Sequence, residues 1–116
     1  MKTYNEIANI YKALSDPNRL RILNILRQRK LCVCEITEIL GLATSTVSQH
    51  LSILHEAGFI QQEKDGKWMN YFINPRPSDS KTAAFISAME FWIENDLAKV
   101  DTEKAKKVDR ERISSR

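Results

Sequence analysis

The sequence predicts a mainly helical chain that carries one small β-hairpin. Apolar residues recur at three- and four-residue spacing along most of the 116 residues, which is typical of amphipathic helices. The dipeptide Asp65-Gly66 separates two short strand-like segments and is a strong hairpin signal. With only three glycines and three prolines, the composition favours helices over a loop-rich or disordered chain. We therefore expect a single, mostly helical domain.

Several of the predicted elements have a recognisable start or end. Asp16 can cap a helix that starts at Pro17, because its carboxylate can accept hydrogen bonds from the first free amides. Gly41 and Gly58 can take the left-handed conformation that ends a helix. The predicted elements are helices over about 3–14, from Pro17, over Cys34–Leu40 and over about Thr44–Glu56, strands over Phe59–Lys64 and Lys67–Ile73 joined by a type I′ turn, and a long terminal helix from Phe85 to Val100.

Charge is unevenly distributed along the chain. The formal net charge is +3, and residues 1–76 contain ten Lys and Arg against seven Asp and Glu, whereas the remaining residues contain eight of each. This mild excess permits an anionic partner. The first nine residues lack the apolar core of a secretion signal, and no apolar run approaches the roughly 20 residues that span a bilayer. We expect a cytoplasmic protein that has no membrane partner.

Two short helices joined through a glycine turn and followed by a hairpin form the pattern of a winged helix-turn-helix. On a helical wheel of the second helix, Val47, Leu51 and Leu54 lie on one side. The opposite side holds small polar residues near the helix start and one acid: Ser45, Gln49, Ser52 and Glu56. Because Gln can pair with adenine and Ser can bind bases or phosphates, this face suits the major groove of DNA. The alternative is a polar helix face with no partner.

The tip of the hairpin carries two lysines, Lys64 and Lys67, on either side of the turn. We predict that they contact phosphate on an adjacent groove, independently of the base sequence. Trp68 and Tyr71 are expected to pack the hairpin onto the helices. His50 lies near the edge of the buried side of its helix, and we expect it to pack there rather than bind a base or a metal.

Two cysteines, Cys32 and Cys34, lie one residue apart at the predicted start of a helix. Because side chains at i and i+2 of a helix point about 200° apart, both sulfurs can hold one ion only if the backbone leaves helical geometry. Arg29, Lys30 and the helix N-terminus are expected to favour the thiolate form. Two thiolates suit soft ions better than a four-ligand structural zinc. The alternative is a pair of small buried apolar residues.

These features together resemble the ArsR/SmtB family of metalloregulatory repressors over about residues 4 to 100. The residues that carry the resemblance occur in the family's order: Ala13–Leu20, Leu31–Ile36, Ser45–Leu51 with Leu54–Gly58 after it, and Gly66–Trp68 leading to Tyr71. Within the family the chain is most similar to repressors of arsenic-resistance operons. The resemblance implies a homodimer that binds a palindromic operator and dissociates from it when trivalent arsenic or antimony binds the cysteines.

Carried over by position, the resemblance assigns Cys32 and Cys34 as inducer ligands, whereas the third cysteine of many arsenical repressors is Thr37 here. The zinc site that other members place on the terminal helix is absent, because no His follows His55. The operator-reading residues that it implies are Thr44, Ser45, Thr46, Ser48, Gln49 and His50. The family pairs its first and last helices, which implies a dimer interface through Tyr4, Ile7, Tyr11, Phe85, Met89, Trp92 and Ile93.

We predict a DNA-binding repressor that releases its operator when As(III), Sb(III) or another thiophilic ion binds Cys32 and Cys34, with no structural cofactor. Residues 1–100 are predicted to form the DNA-binding and dimerisation domain, and residues 101–116 a charged tail that frays. In the predicted mechanism the ion strains the helix Cys34–Leu40 and tilts the recognition helices out of half-sites about one DNA turn apart.

There are two alternatives: one keeps the DNA-binding function but changes its signal, and the other changes the function itself. The same fold with a thiol-redox input is one, although a Cys-x-Cys disulfide would be strained. A winged-helix module that binds protein instead of DNA is the other. An enzyme is not expected, because the sequence contains no nucleophile–base pair, carboxylate pair or phosphate-binding loop.

Overall fold

The computed structural model describes residues 3–92 and 95–115, without the side chain of Trp92. The fold is mainly helical with a small antiparallel sheet, as the sequence predicted. Its elements are α1 (Tyr4–Ala13), α2 (Pro17–Leu26), β1 (Leu31–Cys32), α3 (Val33–Leu40), α4 (Thr44–Glu56), β2 (Ile60–Asp65), β3 (Trp68–Ile73), α5 (Ser80–Trp92), α6 (Asp96–Lys107) and α7 (Arg110–Ser114).

The helices begin and end where local chemistry satisfies their free backbone groups. The Asp16 carboxylate accepts a hydrogen bond from the amide of Asn18 at 2.8 Å, and Pro17 occupies the first turn of α2. Gly41 has φ 69° and ψ 28°, the left-handed conformation that ends α3. This turn sets α3 against α4 and completes the helix-turn-helix.

The sheet contains three strands in the order β1-β3-β2, so a short strand that the sequence analysis missed joins the hairpin. Strands β2 and β3 pair from Ile60↔Ile73 to Asp65↔Trp68, which leaves Gly66 and Lys67 as the two turn residues. Gly66 has φ 61°, whereas Lys67, like every non-glycine residue that the structure describes, lacks a positive φ. The predicted type I′ turn is therefore wrong: positive φ at the first central position alone is typical of type II′.

One hydrophobic core joins the helices to the base of the sheet. Most of its fully buried side chains come from α2, α3, α4 and the segment 59–60 at the start of the hairpin, and they include Ile22, Ile36, Leu51 and Phe59. Phe85 of α5 contacts Phe59 edge-on, with ring centroids 5.5 Å apart. The core therefore fixes α3 and α4 rigidly against α2, which positions the outward face of α4.

The long terminal helix expected from Phe85 to Val100 is two helices instead. α5 ends at Trp92 and α6 begins at Asp96. The reason for the second start is Asn95, whose side chain accepts a hydrogen bond from the amide of Ala98 at 2.8 Å. An N-cap of this type favours a new helix rather than continuation of the old one.

The tail expected to fray after Val100 is helical through most of its length, in α6 and α7. Asp101 is fully buried and pairs with Arg21 of α2 through two contacts, at 2.9 and 3.1 Å. Asn24 of α2 donates hydrogen bonds to the carbonyl of Ala98 and to the Thr102 hydroxyl. One of the charged residues that suggested fraying, Asp101, is therefore the acidic partner of a buried ion pair. This ion pair docks α6 on α2.

In the part of the chain that the structure describes, the helices fall short of the combined length and apolar character that crossing a membrane requires.

Candidate DNA-binding face and thiol site

The recognition helix α4 presents the polar face that the sequence predicted. Val47, Leu51 and Leu54 are fully buried against the core. The predicted DNA contacts on the other side are solvent-exposed: Thr44, Ser45, Thr46, Ser48 and Gln49. This face carries hydroxyl and amide groups near the positive N-terminal end of the helix, where phosphate and base edges can both be bound.

His50 differs from the other predicted operator contacts because it is half-buried. Its Nδ1 lies 3.2 Å from Nη1 of Arg19 in α2. Arg19 in turn donates from Nε to the carbonyl of Ala13 at 2.7 Å, at the end of α1. The packing role predicted for His50 from its wheel position thus fits its surroundings, in which it ties α4 to α1 and α2.

The wing, defined here as residues 60–73, projects both predicted lysines into solvent. Lys67 lies over the indole ring of Trp68, with its Nζ 4.7 Å from the ring centroid. At the base of the wing, Lys30 pairs with Glu63 at 2.7 Å and lies 4.8 Å above the Phe72 ring. Lys30 therefore holds the wing rather than acting on the cysteines.

The two cysteine sulfurs meet without distortion of α3. Cys32 belongs to β1 and caps α3 in an extended conformation, with φ −87° and ψ 168°, whereas Cys34 lies in the first turn. Their Sγ atoms are 2.8 Å apart. The expectation that two sulfurs on a regular helix point apart does not apply, because Cys32 lies outside the helix. The predicted strain mechanism loses its basis for the same reason.

Burial, not positive charge, dominates the chemistry of Cys32, which is 1% exposed. Desolvation and the hydrogen bond with Cys34 raise the pKa of the Cys32 thiol to about 12. That value already includes a smaller rise in the pKa from the nearby negative charge of Glu35. The expected thiolate character is therefore wrong for Cys32: the Arg29 cation is paired with Glu35 at 3.0 Å, and Lys30 with Glu63.

Glu35 is a residue of the thiol site that sequence reasoning missed. Its side chain is almost completely buried, and one carboxylate oxygen accepts a hydrogen bond from the backbone amide of Cys32 at 3.0 Å. The other oxygen accepts from Arg29. The signal was present in the sequence, since a Glu three residues after a helix cap is typical of a capping box. Glu35 thus fixes the position of the Cys32 backbone at the start of α3.

The predicted partner surface is only partly apolar and exposed. Tyr4 and Tyr11 are 93% and 57% exposed, Ile7 and Phe85 are half-buried, and Phe91, which the sequence analysis did not name, is 76% exposed. Met89 is 1% exposed and belongs to the core of the single chain, because it packs inward between α5 and its neighbours. The Trp92 side chain and Ile93 lie outside the described residues.

Comparison with known proteins fixes the family. The model of bacterial regulatory proteins of the arsR family matches residues 16–62, from the cap of α2 through α4 into β2. The arsenic resistance transcriptional regulator ArsR1 of Pseudomonas putida is 33% identical over 95 residues, which cover 78% of this chain and 74% of ArsR1. This chain belongs to the ArsR family. It is a DNA-binding transcriptional repressor of winged-helix type and not an enzyme.

Other ArsR-family proteins agree in sequence and in fold. The arsenical resistance operon repressor of Bacillus subtilis is 46% identical over 65 residues, 55% of this chain and 62% of that repressor. A homodimeric winged helix-turn-helix DNA-binding domain from Mycobacterium bovis, a possible ArsR-family regulator, superposes with a TM-score of 0.62 at 26% identity. That match covers 74% of this chain and 76% of the Mycobacterium domain.

Proposed function

We propose that this ArsR-family repressor senses trivalent arsenic or antimony through Cys32 and Cys34 and releases its operator when the ion binds. The observation that carries the proposal is the 2.8 Å contact between the two sulfurs at the edge of the DNA-binding unit. The relatives that are named for arsenic resistance support the same choice of ion.

The donor set suits a soft ion of low coordination number. Metal–sulfur bonds of about 2.3 Å allow two sulfurs at this separation to share one ion after a small opening. Among the described residues, no three His, Cys, Asp or Glu side chains come together as a metal site. Thr37 donates its hydroxyl hydrogen to the carbonyl of Val33 at 2.8 Å. A hydroxide that stays on the ion supplies the third ligand in our proposal.

The exchange reaction needs no free thiolate. Arsenous acid gives up two hydroxides, each of which takes the proton of one thiol and leaves as water, while two arsenic–sulfur bonds form. No electrons are transferred. The neutral, buried Cys32 thiol is therefore compatible with arsenite as the inducer.

We assign operator contacts to the exposed face of α4, with Ser45 and Gln49 reading bases and Thr44, Thr46 and Ser48 positioned for bases or backbone. Lys64 and Lys67 of the wing bind phosphate. The side chains of these residues are exposed, and Thr44, Ser45 and Thr46 lie in the first turn of α4, at its positive end. His50 supports the helix through Arg19 rather than contacting DNA.

We further propose a homodimer that binds in the cytoplasm, where its operator lies. The exposed apolar side chains of Tyr4, Tyr11 and Phe91 give α1 and α5 a surface suited to a second copy. The homodimeric state of the Mycobacterium domain supports this arrangement. Two recognition helices then reach half-sites about one DNA turn apart.

The test is an operator titration with DNA from upstream of the protein's own gene, with and without arsenite. Wild-type protein and the variants Cys32→Ser, Cys34→Ser and the double variant are compared. We expect arsenite to weaken operator binding in the wild type only, because serine keeps the size of the side chain but cannot bind arsenic. Equal release of the wild type and the double variant would contradict the assignment of the thiols.

A thiol-redox input is the second candidate, because the same sulfur contact places the two thiols within reach of each other. An oxidant of the peroxide class would then convert both thiols to a disulfide and be reduced to water. Metal-free peroxide that releases the operator, reversed by a thiol reductant, would favour this candidate. Release by arsenite under reducing conditions favours the first.

A further inference from the structure

The C-terminal segment 105–114, which we call the latch, contacts the wing through Arg110 at the start of α7. Nη2 of Arg110 donates to Oδ2 of Asp65 at 2.7 Å, and Nη1 donates to Oδ1 of Asn70 at 3.1 Å. The guanidinium also lies over the Trp68 ring, 4.2 Å from its centroid. One side chain of the latch thus contacts both strands of the wing beside the turn.

The geometry of this grip is specific to arginine. The planar fork of a guanidinium can donate to two acceptors while it stacks on an aromatic ring, which a lysine ammonium cannot do in the same way. Asn70 also donates to Oδ2 of Asp65 at 3.4 Å, so the three polar groups form one cluster. Arg110 lowers the pKa of Asp65, which keeps that carboxylate charged.

A second arginine anchors the other end of the latch beside the cysteines. Arg29 donates from Nε to the carbonyl of Ala105 at 3.0 Å and from Nη2 to the carbonyl of Val108 at 2.7 Å. The same Nη2 donates to Glu35, which holds the backbone amide of Cys32. The latch is therefore fixed at Arg29 and Glu35 next to the thiols, and at Asp65, Trp68 and Asn70 on the wing.

The core anchors only the base of the wing, at Ile60, Tyr71 and Ile73, so the tip of this two-stranded hairpin gains from further support. The third strand of the sheet, β1, pairs with β3 over only two residues, Leu31↔Tyr71 and Cys32↔Asn70. We propose that the latch holds the wing in its DNA-binding orientation, with Arg110 as the positioning residue. This role adds a contribution to operator affinity from a residue that does not itself contact DNA.

The latch also supplies a route from the thiols to the wing, and this extension rests on the function proposed above. An ion that draws Cys32 and Cys34 into its coordination shell displaces the Cys32 amide from Glu35. Arg29 then loses its fixed partner and the junction of α6 and α7 shifts, which loosens Arg110 from the wing. The route requires no strain inside α3.

The experiment compares Arg110→Gln with Arg112→Gln, a matched control that removes the same charge from an exposed position two residues further along α7. Operator affinity is measured without inducer at several salt concentrations, so that a failure of arsenic sensing cannot affect the result. We expect Arg110→Gln to lower affinity about three- to tenfold, since it removes an ion pair and a ring contact. Arg112→Gln should change affinity less than about twofold.

Salt dependence separates positioning from direct contact. A lost phosphate contact flattens the plot of log affinity against log salt by about 0.9. We expect an unchanged slope for Arg110→Gln, because Lys64 and Lys67 still bind phosphate in the complex and the lost affinity is the cost of orienting the released wing. The indole N–H resonance of Trp68 should also shift and broaden in this variant and not in the control, because the ring loses its guanidinium cover.

The variant Arg110→Lys distinguishes the two roles again while keeping the charge. We expect it to recover only part of the affinity, since a lysine cannot hold Asp65 and Asn70 while covering Trp68. Full recovery by lysine, a flatter salt slope for Arg110→Gln, or equal effects of Arg110→Gln and Arg112→Gln would each overturn the latch.

Discussion

The recognition helix α4 and the corner formed by the cysteines, the wing and the latch are held by different kinds of contact. α4 is held in place by its own fully buried apolar side chains, such as Val47 and Leu51. Few contacts join its outer face to distant parts of the chain. The corner is held by charged and polar groups that join residues far apart in sequence, such as Arg29 with Val108 and Arg110 with Asp65.

This difference suggests which region transmits a change. Close-packed apolar contacts resist rearrangement, whereas each ion pair of the corner has at least one exposed side chain and can be exchanged at smaller cost. We therefore expect α4 to move as a rigid body when it binds DNA. The corner is expected to change its contacts when the ion binds.

The largest effect should come from the buried ion pair that docks α6 and so supports the corner. Arg21→Gln leaves the Asp101 carboxylate, 1% exposed, without its cation. We expect a loss of about 3 kcal/mol in the free energy of unfolding, measured by urea titration. Arg27→Gln, on an exposed residue just past α2, should cost less than about 0.5 kcal/mol. Equal stability of the two variants would mean that α6 does not dock as described.

The next effect should fall on base reading by α4. Gln49→Ala removes the amide assigned to a base edge, and we expect operator affinity to fall by about 1–3 kcal/mol. Affinity for unrelated DNA should be nearly unchanged, because phosphate contacts remain. Gln61→Ala, on an exposed residue of β2, serves as the control. If both DNA sequences lose affinity equally, Gln49 does not read a base.

The pH dependence of ion binding should distinguish the chemistry of the corner. The pKa of Cys32 is raised to about 12, so its proton is present at neutral pH and must be displaced by a bare cation. Cadmium affinity should therefore rise at least about tenfold per pH unit between pH 6 and 8. Arsenite affinity should stay level, because the thiol proton leaves within water. Calorimetry in two buffers checks the proton release, and a flat cadmium profile would contradict the neutral thiol.

The smallest effect should come from the wing tip. Lys67→Gln removes one predicted phosphate contact per protomer, so the salt slope should fall by about 0.9 for each contact. Affinity should weaken to the same extent for operator and unrelated DNA. Lys81→Gln, on an exposed lysine of α5, should leave the slope unchanged. A slope unaffected by Lys67→Gln would move the phosphate contact elsewhere on the wing.

The same contrast explains what the sequence could reveal. Periodicity, a capping Asp and a helix-ending Gly are local signals, so the start of α2, both ends of α4 and the strands of the hairpin were predicted close to the observed bounds. The exposed face of α4 followed from the wheel alone. For these elements, a residue's nearest sequence neighbours contain most of the information about its position.

The corner was harder because its contacts are long-range. The residues near Cys32 in the sequence do not indicate that it pairs with Asn70. They also do not indicate that Arg29 is paired with Glu35 and bound to the carbonyl of Val108. The thiolate character of Cys32 was therefore predicted wrongly, and the helical geometry on which the predicted strain in α3 was based does not occur at Cys32. The charged tail was misjudged because its composition resembles a solvated segment, while the burial of Asp101 depends on Arg21, 80 positions away in the chain.

Communication between the thiol site and the DNA-binding face is tested by the reciprocity of the two binding equilibria. Binding equilibria that are coupled must affect each other by the same factor. Arsenite affinity should be measured on the free protein and on the protein saturated with operator DNA. We predict weaker arsenite binding to the operator complex, by the same factor with which arsenite weakens operator binding. Equal arsenite affinities in the two states would contradict it.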